Sequence, residues 1–260
     1  MDILHAIILS IIEGITEFLP VSSTGHMIIA SHLMQIPQTE FLKTFEIAIQ
    51  LGAIAAVAGL YWRVFLLDWE VVVKVMAAFV PTAIVGLILY KLIKHYLLGN
   101  VVVVIWSLLI GGVFIILFER FYRPKENNIR EVVKISYSQA ILIGLCQALA
   151  VVPGVSRSAA TILGGLMLGV SRQTIVEFSF LLAVPTMLAA TVLDLIKTDA
   201  DLNLREWGIL ALGFAVALAV ALASVKFLLR YIQRHNFTAF GIYRVVAAVA
   251  FTFLLFHSRS

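Results

Sequence analysis

Six long apolar runs constrain the fold of this chain more than any other feature of its sequence. Each is close to the ~20 residues that an α-helix needs to cross ~30 Å of hydrocarbon. The runs occupy residues 45–62, 71–90, 101–118, 178–196, 207–225 and 239–256. Only 13% of the residues are charged, about half the roughly 25% of a soluble domain. The sequence therefore predicts an all-α integral membrane protein, a single transmembrane domain over residues 1–260 with six full spans.

Two further segments are apolar but interrupted. Residues 2–33 carry carboxylates, hydroxyls and a histidine around Pro20, and residues 137–169 carry an arginine and small residues after Pro153. Because proline breaks helices, each segment is predicted to form two short helices rather than one span. A shift of 133 residues places Pro20 on Pro153, Ser23 on Ser156 and Phe45 on Phe178. This pairing indicates a duplicated unit of one interrupted segment and three spans.

The duplication predicts a first repeat at 1–122, a cytoplasmic linker at 123–133 and a second repeat at 134–260. With three spans per unit, the second unit is inverted relative to the first if each interrupted segment is re-entrant and returns to its own side. Paired interrupted segments in inverted repeats point to a binding site near the bilayer midplane. Non-helical backbone at that depth is tolerated only inside protein or along a water-filled cavity. The two interrupted segments are therefore expected to meet inside the protein.

Lysine and arginine are more frequent on the side of the linker, which indicates that this side is cytoplasmic. The first interrupted segment then opens away from the cytoplasm. The net charge is +4, and no basic run or aromatic–basic platform favours nucleic-acid binding. The single cysteine, Cys146, excludes an intramolecular disulfide and a thiolate cluster for zinc. Membrane lipid is the expected surrounding partner.

Glu13 and Glu17 are four residues apart and therefore share one face of a helix. Two carboxylates side by side in an apolar setting repel each other unless a proton or a cation lies between them. Their hard oxygen atoms favour Mg²⁺ or Ca²⁺ over zinc, and such a cation would clamp a phosphorylated substrate. The alternative is a carboxylate pair solvated at a helix end. Because ionisable groups inside a membrane are costly, the functional interpretation is preferred.

Hydroxyl side chains cluster directly after Pro20. The stretch reads Ser22, Ser23, Thr24, Gly25 and His26. One hydroxyl is enough to cap a helix, whereas three beside a histidine indicate an anion site. A helix N-terminus aimed inward offers free N–H groups and a partial positive charge to phosphate. His26 is accordingly interpreted as catalytic rather than as a satisfied core residue.

The second interrupted segment supplies a positive charge. Arg157 is surrounded by Ser156, Ser158 and Thr161. Its guanidinium is always charged, and its planar fork matches the oxygens of phosphate. It therefore requires an anion, either the carboxylate pair of the first segment or a ligand. Carboxylates for a cation, a nucleophile or base, and an arginine beside helix N-termini together predict phosphoryl transfer.

The chain resembles the undecaprenyl-pyrophosphate phosphatase family, known as BacA or UppP, in four stretches. These are EGITEFLPVSSTGH at 13–26, FEIAIQLGAIAAV at 45–57, PGVSRSAAT at 153–161 and EFSFLLAVPTM at 177–187. The resemblance implies hydrolysis of undecaprenyl pyrophosphate, a C55 isoprenyl lipid, to undecaprenyl phosphate and inorganic phosphate at the outer face of the bacterial inner membrane. It also implies an inverted repeat of two re-entrant pairs and six spans. Recycling of this carrier lipid for cell-wall synthesis links the family to bacitracin resistance through the shared substrate.

Carried onto this sequence, the acidic motif of the family is Glu13 and Glu17, its serine-rich loop is Ser22–Gly25 with His26, and its arginine motif is Ser156–Thr161 around Arg157. Ala159 departs from the glycine that the family usually has there. The most economical assignment has the two glutamates holding Mg²⁺ or Ca²⁺ against the pyrophosphate while Arg157 neutralises charge on the leaving group. The nucleophile is left open between Ser23 activated by His26, a water activated by His26, and His26 itself.

Other polar residues within the spans carry weaker interpretations. Glu46 and Gln50 either face the site or are solvated at the membrane interface. Three charged residues near span ends are expected to extend their charges to the interface: Lys74, Asp194 and Arg244. A transporter or flippase for polyprenyl phosphate is the competing interpretation, because broken helices at the midplane are typical of secondary transporters. A homodimer is left open by the sequence.

Overall fold

The computed structural model of the protein describes residues 1–92, 96–97, 100–124, 128–195 and 202–257. Within these ranges the regular secondary structure is helical, apart from one isolated β-bridge between Ile129 and Val170. The α-helices are α1 (Ile3–Thr16), α2 (Ser23–Leu33), α3 (Glu40–Leu60), α4 (Trp62–Leu67), α5 (Trp69–Leu92), α6 (Val101–Phe121), α7 (Tyr137–Ala148), α8 (Arg157–Met167), α9 (Arg172–Leu195), α10 (Leu204–Tyr231) and α11 (Thr238–His257). The side chain of Asp194 and residues 125–127 of the predicted linker lie outside the described residues.

Within the described ranges, five helices are long and apolar enough to cross a membrane: α3, α5, α6, α9 and α10. Five of the six predicted apolar runs lie on these helices, except for residues 61–62 of the first run and residue 196 of the fourth, which is outside the described residues. The described residues are those of a helical, multi-pass membrane protein. The sixth run, 239–256, lies in α11. The described apolar stretch of α11, Thr238–Leu254, is shorter than the other five by the same measure. The sixth span therefore stays a prediction.

Two pairs of short helices alternate with the long ones. The first pair is α1 and α2, with a break at residues 17–22 between them. The second pair is α7 and α8, where a 3₁₀ turn at Leu149–Val151 leads into a break at residues 152–156. Helices α3, α5 and α6 follow the first pair, and α9, α10 and α11 follow the second. The two interrupted segments predicted from the sequence are thus present.

Each short pair packs against a long helix from the other half of the chain. Helix α1 contacts α10, and α7 contacts α5, while α3 contacts α9 and α6 contacts α11. Glycine permits two of these approaches. A Cβ on Gly14 would lie 2.9 Å from the Ala217 carbonyl oxygen, and a Cβ on Gly144 would overlap the Ala78 carbonyl. Small residues at such crossings let helix backbones approach closely within a membrane, and here they hold the short pairs in place.

Buried charges tie the long helices to the connecting segments. Glu119 of α6 forms a bidentate ion pair with Arg172 of α9, with 2.6 Å between Oε2 and Nη2, and also accepts the Phe237 N–H at 3.0 Å. Lys74 is buried and donates to Oε1 of Glu70 at 2.6 Å and to the carbonyl of Val133. The expectation that Lys74 extends to the interface is wrong, because the segment before α7 covers it.

Candidate active site

Each break ends at a serine with a positive φ angle. Ser22 (φ 74°, ψ 92°) caps α2, and its hydroxyl accepts the N–H three residues later at 3.4 Å. Ser156 (φ 78°, ψ 114°) caps α8 in the same way at 3.2 Å. Such a conformation costs a residue other than glycine ~1–3 kcal/mol and persists where its surroundings impose it. The caps are 134 positions apart, one more than the shift of 133 that pairs Pro20 with Pro153 and Ser23 with Ser156.

Glu17 joins the two breaks. Its Oε1 lies 3.1 Å from Nη2 of Arg157, and its Oε2 accepts a hydrogen bond from the Ser23 hydroxyl. Arg157 also donates from Nη1 to the Ser179 carbonyl at 3.0 Å and lies over the ring of Phe18. The side chains of Arg157 and Glu17 are 11% and 6% exposed, so their ion pair is largely shielded from water. The expectation that the two interrupted segments meet inside the protein is confirmed, with Glu17 as the residue of the acidic pair that contacts Arg157.

A polar cavity of about 120 Å³ lies between the breaks. Six of the predicted site residues line it: Glu17, Ser22, Ser23, Thr24, Ser156 and Arg157. Gln50 of α3 lines it as well, as one of the two earlier interpretations of that residue requires. Nε of Arg157 is buried and has no hydrogen-bond partner among the described residues. Because Arg157 carries a positive charge and lines this cavity together with serine hydroxyls, the cavity is a candidate anion site.

The other predicted binding residues support the breaks from outside the cavity lining. Ser158 donates to the Leu19 carbonyl at 2.8 Å, which ties α8 to the first break. Thr161 donates at 2.9 Å to the carbonyl one turn before it in α8. A Cβ on Gly25 would lie 3.1 Å from Cγ1 of Val104, so this glycine lets α2 approach α6. Ser158 and Gly25 thus fix how the segments around the site pack, whereas the Thr161 bond lies within α8.

His26 makes its hydrogen bonds to residues other than Ser23. Its Nδ1 donates to the Ser22 carbonyl at 2.8 Å, because a carbonyl can only accept. In the neutral ring, Nε2 then accepts from the Tyr243 hydroxyl at 2.7 Å, and the two rings stack with their centroids 5.6 Å apart. Of the three routes left open for the nucleophile, activation of Ser23 by His26 finds no supporting contact among the described residues. Glu17 occupies that place, and His26 holds the cap of α2.

The predicted metal ligands differ in their position. Glu13 and Glu17 are both buried, and of the two only Glu17 lines the cavity. No group of three or more His, Cys, Asp or Glu side chains suited to a metal ion occurs in the part of the chain that the structure describes. The carboxylate, hydroxyl and amide oxygens of Glu17, Ser23 and Gln50 are nevertheless hard donors that suit Mg²⁺ or Ca²⁺. Mg²⁺ in particular is commonly held by one or two carboxylates together with substrate phosphates.

The position expected for Arg244 is wrong. Instead of reaching the interface, its side chain is 0% exposed within α11. Its guanidinium donates to carbonyls of both breaks, those of Pro20, Gly154 and Val155. One feature of the sequence corresponds to the buried position of Arg244: the Gly111–Gly112 pair in the run of α6. A Cβ on either glycine would overlap the arginine.

Comparison with known proteins places the chain in a family. The family described as bacitracin resistance protein BacA matches residues 6–250. The chain belongs to this family. Relatives named undecaprenyl-diphosphatase occur in Sulfurihydrogenibium sp., Aquifex aeolicus and Bdellovibrio bacteriovorus. The Sulfurihydrogenibium protein is 48% identical over 96% of this chain and 98% of its own length. The Aquifex protein is 46% identical over 97% of this chain and 98% of its own length. The Bdellovibrio protein is 47% identical over 98% of this chain and 97% of its own length. The BacA match includes both breaks and confirms the resemblance drawn from the four motifs.

Proposed function

We propose that this BacA family protein hydrolyses undecaprenyl pyrophosphate to undecaprenyl phosphate and inorganic phosphate. The observation that carries the proposal is the contact of Glu17 with both Arg157 and Ser23 beside a polar cavity. A carboxylate base, a hydroxyl nucleophile and a fixed cation are the groups that phosphoryl transfer uses. Relatives named undecaprenyl-diphosphatase, 46% to 48% identical, support the choice of substrate.

Ser23 is the proposed nucleophile and Glu17 is its base. Because the hydroxyl donates to the carboxylate, Glu17 takes the proton as the serine oxygen bonds to the terminal phosphorus. The bond from that phosphorus to the bridging oxygen breaks, and undecaprenyl phosphate leaves with the electron pair and receives the proton from Glu17. A water deprotonated by Glu17 then attacks the phosphoserine. The bond from phosphorus to the Ser23 oxygen breaks, Glu17 returns the proton to that oxygen, and inorganic phosphate departs.

Arg157 supplies fixed positive charge to this reaction. Its Nη2 pairs with Glu17, and its Nε has no acceptor in the described residues. A diphosphate in the cavity offers oxygens to Nε and competes with Glu17 for Nη2. Charge that develops on the bridging oxygen is then stabilised by the guanidinium and by the N–H groups at the starts of α2 and α8.

A divalent cation, Mg²⁺ or Ca²⁺, is proposed on the acidic side of the cavity. When bound, such an ion neutralises phosphate oxygens and makes the phosphorus more susceptible to attack. Glu17 and Gln50 reach the cavity directly, and Glu13 lies one turn earlier than Glu17 on the same helix face. These residues are the proposed protein ligands.

We also propose that residues 1–122 and 134–260 are inverted repeats with re-entrant pairs. The contact of α1 with α10 corresponds to that of α7 with α5, and the α3–α9 and α6–α11 contacts join equivalent helices. The serine caps with φ of 74° and 78° add a second correspondence. The excess of lysine and arginine on the linker side supports an inner-membrane orientation with the first pair facing the periplasm. Recycling the carrier lipid at that face is the proposed route to bacitracin resistance.

Phosphate release from undecaprenyl pyrophosphate by the purified protein in detergent tests the proposal. Glu17→Gln, Ser23→Ala and Arg157→Met are each expected to slow release by at least ~100-fold. The matched control is Arg172→Met, which removes an arginine from the ion pair with Glu119, outside the cavity lining. It is expected to leave the rate unchanged. In protein reconstituted into lipid vesicles, movement of the lipid between leaflets without phosphate release would overturn the proposal in favour of a flippase.

A further inference from the structure

Arg244 uses every donor it has on backbone carbonyls. A guanidinium carries five N–H groups, and each of these has its own acceptor. Nη1 donates to Pro20 at 3.3 Å and Val155 at 2.9 Å, Nη2 to Gly154 at 2.8 Å and Ser107 at 2.9 Å, and Nε to Leu108 at 3.4 Å. One acceptor thus lies in the first break, two lie in the second, and two lie in α6. A single side chain bonds to both breaks at once.

The charge of Arg244 is buried without an acidic partner. The residue is 0% exposed and takes part in none of the ion pairs of the described residues. A charge inside a membrane protein is costly, which favours a functional interpretation. Helix α6 leaves room for it, since a Cβ on Gly111 would lie 2.9 Å from the guanidinium carbon and a Cβ on Gly112 2.9 Å from Cβ of Arg244.

The carbonyls that Arg244 holds fix the directions of neighbouring N–H groups. In a trans peptide the C=O and the N–H of one unit point in opposite directions. With the Val155 carbonyl directed at Arg244, the N–H of Ser156 points the other way, and Ser156 lines the cavity. The Val155 carbonyl lies immediately before Ser156, and the Pro20 carbonyl lies two residues before Ser22. Ser156 and Ser22 are the two caps with positive φ. Strained residues of this kind need external support, and Arg244 provides it at both.

We propose that Arg244 is a positioning residue for the reaction, whose one guanidinium fixes both breaks and so orients the Ser156 N–H and the two serine caps for the phosphates. Its kinetic consequence rests on the proposed phosphatase function, whereas its structural consequence does not. Arg244 is absent from the cavity lining, so its loss misplaces catalytic groups without removing a substrate contact. A displacement of ~1 Å is enough to slow a reaction about 100-fold.

The variant Arg244→Met tests the proposal. Arg172→Met is the matched control, because Arg172 is another arginine of the second half of the chain that bonds to α6. Steady-state kinetics with undecaprenyl pyrophosphate give kcat and KM, and amide hydrogen exchange is followed by mass spectrometry over residues 17–26 and 149–160. Arg244→Met is expected to lower kcat about 100-fold with little change in KM, and to raise exchange in both breaks. Arg172→Met is expected to change neither. Arg244→Lys is expected not to restore kcat, because an ammonium has three donors.

Gly111→Ala gives the same test if Arg244→Met does not yield folded protein. Its added methyl displaces the guanidinium but keeps the charge, and it is expected to lower kcat and raise exchange in both breaks. The proposal is overturned if kcat stays within about threefold of the wild-type value, if Arg244→Lys restores it, or if the added exchange extends evenly over α3 and α10. If the wild-type protein releases no phosphate, the proposed function fails, and the exchange pattern alone decides the role of Arg244.

Discussion

Glu17 and Ser23 are expected to lose activity as one unit rather than as two independent residues. The Ser23 hydroxyl donates to Oε2 of Glu17, so both belong to a single proton-transfer path. Glu17→Gln keeps the shape of the side chain but cannot take the proton, and Ser23→Ala removes the attacking oxygen. General-base catalysis contributes ~10²- to 10⁴-fold, which corresponds to roughly 2.7–5.4 kcal/mol of activation free energy.

A double-mutant cycle on kcat separates the two cases. If Glu17 and Ser23 acted independently, the combined variant would lose ~10⁴- to 10⁸-fold, the product of the single losses. As one unit, it loses no more than the more damaging single variant, ~10²- to 10⁴-fold. The assay is phosphate release at saturating undecaprenyl pyrophosphate, together with acid quenching to trap labelled phosphoserine. The combined variant Glu119→Gln/Arg172→Met serves as the control. Multiplicative losses, or a Ser23→Ala variant that still turns over at a wild-type rate, would refute the reasoning.

Three other outcomes are expected. Glu119→Gln leaves Arg172 without its carboxylate, so the free energy of unfolding in detergent should fall by about 3 kcal/mol while kcat is unchanged; an unaltered unfolding curve would contradict this. Gly144→Ala places a methyl against the Ala78 carbonyl and should lower the free energy of unfolding by ~1–3 kcal/mol. Its control, Gly59→Ala, meets open space and should raise stability by up to about 1 kcal/mol. Chelation with EDTA should abolish phosphate release and Mg²⁺ or Ca²⁺ should restore it, whereas release that survives chelation would exclude the proposed metal.

The helices and the two breaks could be predicted because lipid leaves the chain few alternatives. An apolar run of about 20 residues in a membrane protein has few options other than a spanning helix. The meeting of Glu17 with Arg157 was predictable for a related reason. Each is a charge in apolar surroundings, and in a chain with 13% charged residues opposite charges have few other partners.

The partners of the backbone could not be predicted in the same way. Every residue has a backbone carbonyl, so residue identity does not reveal which carbonyls accept hydrogen bonds. The sequence therefore shows Arg244 as a charge on an apolar run and not as the donor to five carbonyls. The choice between Ser22 and Ser23 as the cap of α2 was likewise hidden, because both are serines. With Ser22 as the cap, Ser23 begins the helix and bonds to Glu17, and His26 bonds to Tyr243.

Between turnovers the guanidinium of Arg157 already has an anion attached, the carboxylate of Glu17. An incoming phosphate must displace this tethered competitor, so a ligand with one phosphate gains less from entering than a ligand with two linked phosphates. Both products of the proposed reaction carry a single phosphate. The ion pair is therefore expected to weaken product inhibition, because Glu17 can pair with Arg157 again once each product has only one phosphate to offer.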